Sequence, residues 1–178
     1  PVKIIHHFFP ELSGGQDSSE ITFIAHPDKR TDKKQYCFTL TLLSDTILYD
    51  EILNHKSYID EKSIAGIVNM HSENGPKNKE LFTAHDFTLV NYISETNIIQ
   101  SFTGTAGIRR FSDSAIKRGS AFYFYYSGKK NTKLKKALET MQKSGIGERQ
   151  NEGFGMISIN HPVHCLLNGF IMKTKKIP

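Results

Sequence analysis

GIGERQNEGFG, residues 145–155, sets glycines at 145, 147, 153 and 155 in a chain of 178 residues that has 13 glycines in all. Glycine tolerates positive φ and lets another backbone come close, so a loop of this kind can turn N–H groups toward an anion, with Arg149 as a bidentate cation beside them. The competing reading is a tight connection whose glycines serve packing alone. Upstream, NTKLKKALETMQKS (131–144) puts Leu134, Leu138 and Met141 at i, i+4 and i+7. This predicts an amphipathic helix with a lysine face, opened by an Asn131 or Thr132 cap and closed by Gly145 at C′. Downstream, FGMISI (154–159) predicts a short strand. Dinucleotide and Walker-type loops follow a strand and open a helix, whereas this one follows a helix and opens a strand. With no GK[ST] either, an enzyme acting on a free triphosphate is disfavoured.

Working outward, SAFYFYYSG (120–128) sets Ala121, Tyr123 and Tyr125 opposite Phe122, Phe124 and Tyr126, and aromatic residues on both faces predict an interior strand. FTLVNYI (87–93) is a second strand. YCFTLTLLSDTILY (36–49) is a third, with Phe38, Leu40 and Leu42 on one side and an end near Ser44 and Asp45. Residues 50–70, with Ile52, Leu53, Ile64, Ile67 and Val68, predict short helices, and HSENGPKNKE (71–80) an exposed loop. Residues 1–36 read as strand, loop, strand, loop. Pro1 in place of an initiator Met reads as a cut end of a longer protein.

Composition excludes several classes. A 38% hydrophobic share is too rich for a disordered chain, and no apolar run approaches a membrane span. The two cysteines, Cys37 and Cys165, lie far apart, so neither a zinc cage nor a disulfide framework is expected. No cofactor motif is found and no signal peptide opens the chain, so the cytoplasm is the expected compartment. The net charge of +5 is concentrated. Residues 109–149 hold eleven basic side chains, Arg109, Arg110, Lys117 and Arg118 among them, against three acidic ones, while the remainder is mildly acidic. Such a block is the footprint of a polyanion site, or else a solvated lysine face.

Among the eight histidines, His6 with His7 and His161 with His164 form pairs, but neither spacing makes a metal or acid–base site. Asp113, between Ser112 and Ser114, reads as a turn or cap residue in preference to a cleavage residue. Phe111, Tyr123, Tyr125 and Phe154 are candidates for stacking on unpaired bases, with a core role favoured for the strand tyrosines.

The glycine loop, following a Lys-rich helix and preceding a final strand, resembles that of the RAMP superfamily, the RNA-binding subunits of CRISPR effector complexes and their precursor-processing relatives. AIKRGSAFYF (115–124), with FTGTAGIRRFSDS before it, resembles a second signature of the type III-D RAMP branch, and FTLTLLSDTILYD (38–50) resembles the first strand of a RAMP module. The resemblance spans residues 38–160. It implies an α+β, ferredoxin-like (RRM-like) βαββαβ domain over 37–160, flanked by an extension or remnant of a preceding module at 1–36 and a tail at 161–178. It implies a subunit of a type III effector complex that holds crRNA near its 5′ repeat-derived tag and contacts other RAMP subunits and the large polymerase-like subunit. The RNA-binding residues it implies are Gly145, Gly147, Arg149, Gly153, Phe154 and Gly155 of the loop, and Ser120, next to Gly119, of the second signature; Arg109, Arg110, Lys117 and Arg118 of the basic block join them. Gln150 stands where many relatives carry another Arg. The alternative within the superfamily is a metal-independent endoribonuclease with a histidine base and Arg149 or Lys117 steadying the scissile phosphate.

Overall fold

The computed structural model describes residues 24–27, 34–72, 81–100 and 111–162. Its strands are β1 (Ile24–Pro27), β2 (Lys34–Leu42), β3 (Phe87–Ile93), β4 (Thr96–Ile99), β5 (Asp113–Ile116), β6 (Ala121–Tyr126) and β7 (Ile157–Ile159), and its helices are α1 (Glu61–Met70) and α2 (Asn131–Ser144). β2, α1, β3, β6, α2 and β7 form the βαββαβ unit. β6 lies between β2 and β3, and β7 pairs with the far edge of β2, all antiparallel. β1 shares that edge, pairing Ile24 with Cys37 while β7 takes Leu40–Leu42. β4 and β5 form a separate hairpin inserted between β3 and β6.

Alternation explains how the sheet carries its helices. Phe38, Leu40 and Leu42 of β2 and Phe122, Phe124 and Tyr126 of β6 are buried against Ile64 and Val68 of α1 and Leu134, Leu138 and Met141 of α2. Each such side chain contributes roughly 1.5–3 kcal/mol through apolar burial. Phe38 stacks on Phe124 at 5.6 Å, and Phe87 closes on Tyr126 at 5.2 Å. The interior position expected for residues 121–126 is the one observed.

Other elements differ from the sequence reading for physical reasons. Only 61–70 of the 50–70 stretch is helical, because Asp60 caps at that point by accepting from the Ser63 N–H at 2.7 Å. Residues 50–54 instead close a turn on the Asp50 carboxylate, which accepts from the N–H groups of Ile52 and Asn54. α2 has no side-chain cap from Asn131 or Thr132. Lys130 is its N-cap residue, and the Lys130 N–H donates to the Tyr126 hydroxyl at 3.2 Å. Asp113 caps nothing: it begins β5 opposite Ile99. The strand expected at 154–159 is confined to 157–159. Of the loop expected at 71–80, residues 71–72 leave the end of α1 in a turn and 73–80 lie outside the described residues.

Candidate nucleic-acid interface

The glycine loop joins α2 to β7. Gly145 ends the helix at φ 82° with its N–H on the Met141 carbonyl, and Ile146, fully buried, pins the loop to the core. The neck is closed by the Ile146 N–H donating to the Gly155 carbonyl at 2.9 Å. Beyond it the chain passes Gly147 at φ 78° and Arg149 at φ 56°, makes a 3-10 turn over Gln150–Glu152, and returns through Gly153 at φ 91° and Gly155 at φ 76°. A Cβ at Gly147 would run into the Ile47 carbonyl oxygen, and one at Gly155 into that of Ile146, so close backbone packing requires both glycines. At Gly153 a Cβ would meet open space.

The loop's N–H groups mostly turn inward. Those of Glu148 and Gly155 donate to the carbonyls of Ile47 and Asp45, and those of Glu152 and Gly153 to Arg149 and Gln150. Arg149 is likewise held from within. Its guanidinium donates to Asp113 Oδ2 at 2.9 Å and to Glu152 Oε2 at 2.5 Å, its Cζ lies 5.0 Å from the Phe154 ring centre, and its side chain is 15% exposed. Two carboxylates and a ring therefore fix the loop's conformation through this side chain.

Asp113 also accepts from the Tyr49 hydroxyl at 3.1 Å and lies 3.6 Å from His55 Nε2. Burial by itself would raise the Asp113 carboxyl, but the bonds from Arg149, Tyr49 and His55 outweigh it and hold it below the ordinary range. Burial and then the Asp113 bond push the Tyr49 hydroxyl up. The Tyr49 and His55 rings are 4.8 Å apart. Sequence reasoning did not single out His55. Its partner stands 58 positions away, and no local spacing signals the pair.

Lys117 and Arg118 occupy the turn from β5 to β6. The Arg118 N–H donates to Asp45 Oδ1 at 2.8 Å, and Lys117 Nζ pairs with Glu95 at 2.8 Å. Ser120 is 4% exposed and closes the turn by donating from its hydroxyl to the Lys117 carbonyl, so it acts within the turn and not at a surface. The turn and the loop tip face each other across one open groove of about 390 Å³, lined by Leu43–Asp45, Asn97, Lys117, Arg118 and Glu152–Phe154. Gly145, Gly147 and Gly155 do not line the groove. Among the stacking candidates, Phe111 is 97% exposed, Phe154 is half-buried under Arg149, and Tyr123 and Tyr125 are half-buried on the sheet face away from the helices. Arg109, Arg110, His6, His7 and His164 lie outside the described residues. Among the described residues no group of three or more His, Cys, Asp or Glu could hold a metal ion, and no helix is long and apolar enough to cross a membrane.

No protein-family model and no curated protein matches the chain. Among solved structures, it is similar to the Cas6 protein of Thermus thermophilus at 18% identity and a TM-score of 0.46, covering 69% of this chain and 52% of that one. It is also similar to a chain of the type III-B Cmr-beta complex bound to cognate target RNA, at 14% identity and a TM-score of 0.41, covering 71% and 58%. The chain thus spans little more than half the length of either. At these values the likeness says nothing of activity.

Proposed function

We propose that this protein is a single-stranded RNA-binding subunit of a type III CRISPR ribonucleoprotein, of the type III-D RAMP branch, that holds crRNA near its 5′ tag. One observation carries the proposal. The three segments that give the sequence its resemblance to RAMP subunits, 38–50, 115–124 and 145–155, each contribute residues to one groove, Leu43–Asp45, Lys117–Arg118 and Glu152–Phe154. In that groove Arg118 is the exposed cation that forms no ion pair among the described residues. Lys117 is exposed but shared with Glu95. We assign phosphate contact to Arg118 and Lys117, joined by Arg109 and Arg110 of the same basic block, and close backbone approach to Gly153 and Phe154. Arg149 is a positioning residue that holds the loop. Other RAMP subunits and the large polymerase-like subunit are the proposed neighbours, in the cytoplasm. Crosslinking of the native complex followed by sequencing of the attached RNA tests this reading: repeat-derived RNA joined to 117–118 and 153–154 is expected, and RNA without repeat sequence would sink it.

A second reading, a metal-independent endoribonuclease, is favoured by the Tyr49, His55, Asp113 and Arg149 cluster. There a histidine that could exchange a proton stands beside a carboxylate and a guanidinium. Incubating labelled repeat RNA with excess protein, with and without divalent metal, separates the two. Intact RNA on a denaturing gel is the outcome expected of the binding subunit. A discrete cut lost in His55→Ala, with His6, His7, His161 and His164 as further substitutions, would establish the nuclease.

A further inference from the structure

Three aromatic rings form a pile at the β3 edge that the groove does not use. Phe122, buried in β6, lies face to face with Tyr92 of β3 at 6.2 Å and an interplanar angle of 12°. Tyr92 lies in turn against Tyr58 at 5.3 Å and 15°. Phe122 is 1% exposed, Tyr92 47% and Tyr58 41%, so the pile runs from the core to solvent. It is held still from two sides. Tyr92 and Phe122 are direct partners in the β3–β6 ladder, and the Ser94 hydroxyl donates to the Ser57 carbonyl at 2.6 Å, tying the segment that carries Tyr58 to the end of β3.

Offset parallel rings are ordinary inside a core, where both faces are covered. A parallel pair that is preorganised and ends in solvent is a surface on which a further flat ring can stack at little ordering cost. The place of the pile indicates which ring. Ile93, next to Tyr92, pairs with Ala121, which follows Ser120 of the groove turn, and the Glu95 carboxylate holds Lys117. Phe122 stands two residues, about 7 Å along the strand, from Ser120. Lys117 of the groove, its partner Glu95, the adjoining Ser94 and the Ser57 carbonyl that Ser94 bonds therefore form a run of contacts from the groove to the segment that carries Tyr58.

We infer that Tyr58, backed by Tyr92 and Phe122, is a stacking platform for one unpaired base of RNA that continues out of the groove. The inference rests on the RNA-binding reading above. Because Phe122 faces the helices, the platform lies on the helix side of the sheet edge, away from the face that carries Tyr123 and Tyr125.

The test uses the full chain and a single-stranded oligoribonucleotide carrying 2-aminopurine at one position at a time. Wild-type protein is expected to quench the fluorophore strongly at one position. Tyr58→Ala and Tyr58→Leu are expected to abolish that quench and lower affinity about tenfold. Tyr58→Trp is expected to keep both. The dependence of affinity on salt should be unchanged in all of them, since no phosphate contact is lost. Tyr58→Leu retaining full affinity would overturn the platform, because an apolar side chain without a π face would then suffice. Unchanged RNA binding in Tyr58→Ala together with loss of a self-associated or co-purified protein would make the patch a protein-docking surface and overturn it as well. Wild-type protein with no RNA affinity at any salt concentration would overturn the RNA reading itself, whereas salt-dependent binding indifferent to Tyr58 overturns the platform alone. The Leu and Trp pair keeps the test decisive should the Ala variant fold poorly.

Discussion

At Gly147 a methyl group would meet the Ile47 carbonyl oxygen, and at Gly153 it would stand in open space, although both residues sit at positive φ. Left-handed backbone costs a non-glycine residue about 1–2 kcal/mol. Gly153→Ala is therefore expected to lose about that much, and Gly147→Ala distinctly more, since two backbones must also part. Thermal melts of the two variants check this, and equal losses would remove the packing account of Gly147. Asp113 has a different signature. Its folded-state carboxyl lies below the ordinary value of 3.8, so its ionised form adds stability that is fully present above that value and is lost as pH falls through the folded-state value. Asp113→Asn is expected to lower stability at neutral pH and to flatten the acid limb of a melting series carried down to about pH 2. An acid limb identical to wild type would show that the Asp113–Arg149 pair contributes nothing. The sequence made Arg149 legible as a loop cation but not as one claimed by Asp113 and Glu152, because Asp113 lies 36 positions from Arg149 and reads locally as a turn former.

The second crossover shows how one element depends on another. β6 ends in Tyr126, whose hydroxyl accepts the Lys130 N–H where α2 lacks a side-chain cap, and its ring fills the space beside Gly128 that a Cβ would need. Tyr126→Phe keeps the ring in the core and removes the acceptor, so a loss of about 1 kcal/mol is expected, measurable by urea titration. A neutral result would mean that water replaces the hydroxyl at the helix start. The sequence made β6 and α2 legible because period-2 aromatics and an i, i+4, i+7 apolar stripe are local patterns. It did not show how α2 begins, since the acceptor that replaces the expected Asn131 or Thr132 cap belongs to the preceding strand. Nor did it resolve residues 50–60, where the Asp50 and Asp60 carboxylates take backbone N–H groups that a longer helix would have used.

Charge acts at the scale of the whole molecule. The surplus of eight positive charges over residues 109–149 predicts that single-stranded RNA binds with several phosphates neutralised, and that log K falls linearly with log salt concentration. Arg118→Ala is expected to make that slope shallower by about one phosphate contact and to weaken binding by roughly 1–3 kcal/mol. A flat slope in the wild type would leave the block as a solvated lysine face. Several of these charges already have partners inside the fold. Arg149 lies with Asp113 and Glu152, Lys117 with Glu95, and the Lys130 ammonium donates to the Leu81 carbonyl, so a count along the chain overstates what a polyanion meets. By itself the sequence determined the interior aromatic strand, the amphipathic helix and the order helix, glycine loop, strand, because each follows from side-chain period and backbone freedom over a few residues, whereas the α+β class was what its resemblance to RAMP modules implied. Only the tertiary structure decided that residues 115–124 face the glycine loop across a groove, that Asp113 joins Arg149, His55 and Tyr49, and that Tyr58 stacks on Tyr92. Those pairings join residues 34 to 64 positions apart, and the packing of loops against strands brings them together, not local pattern.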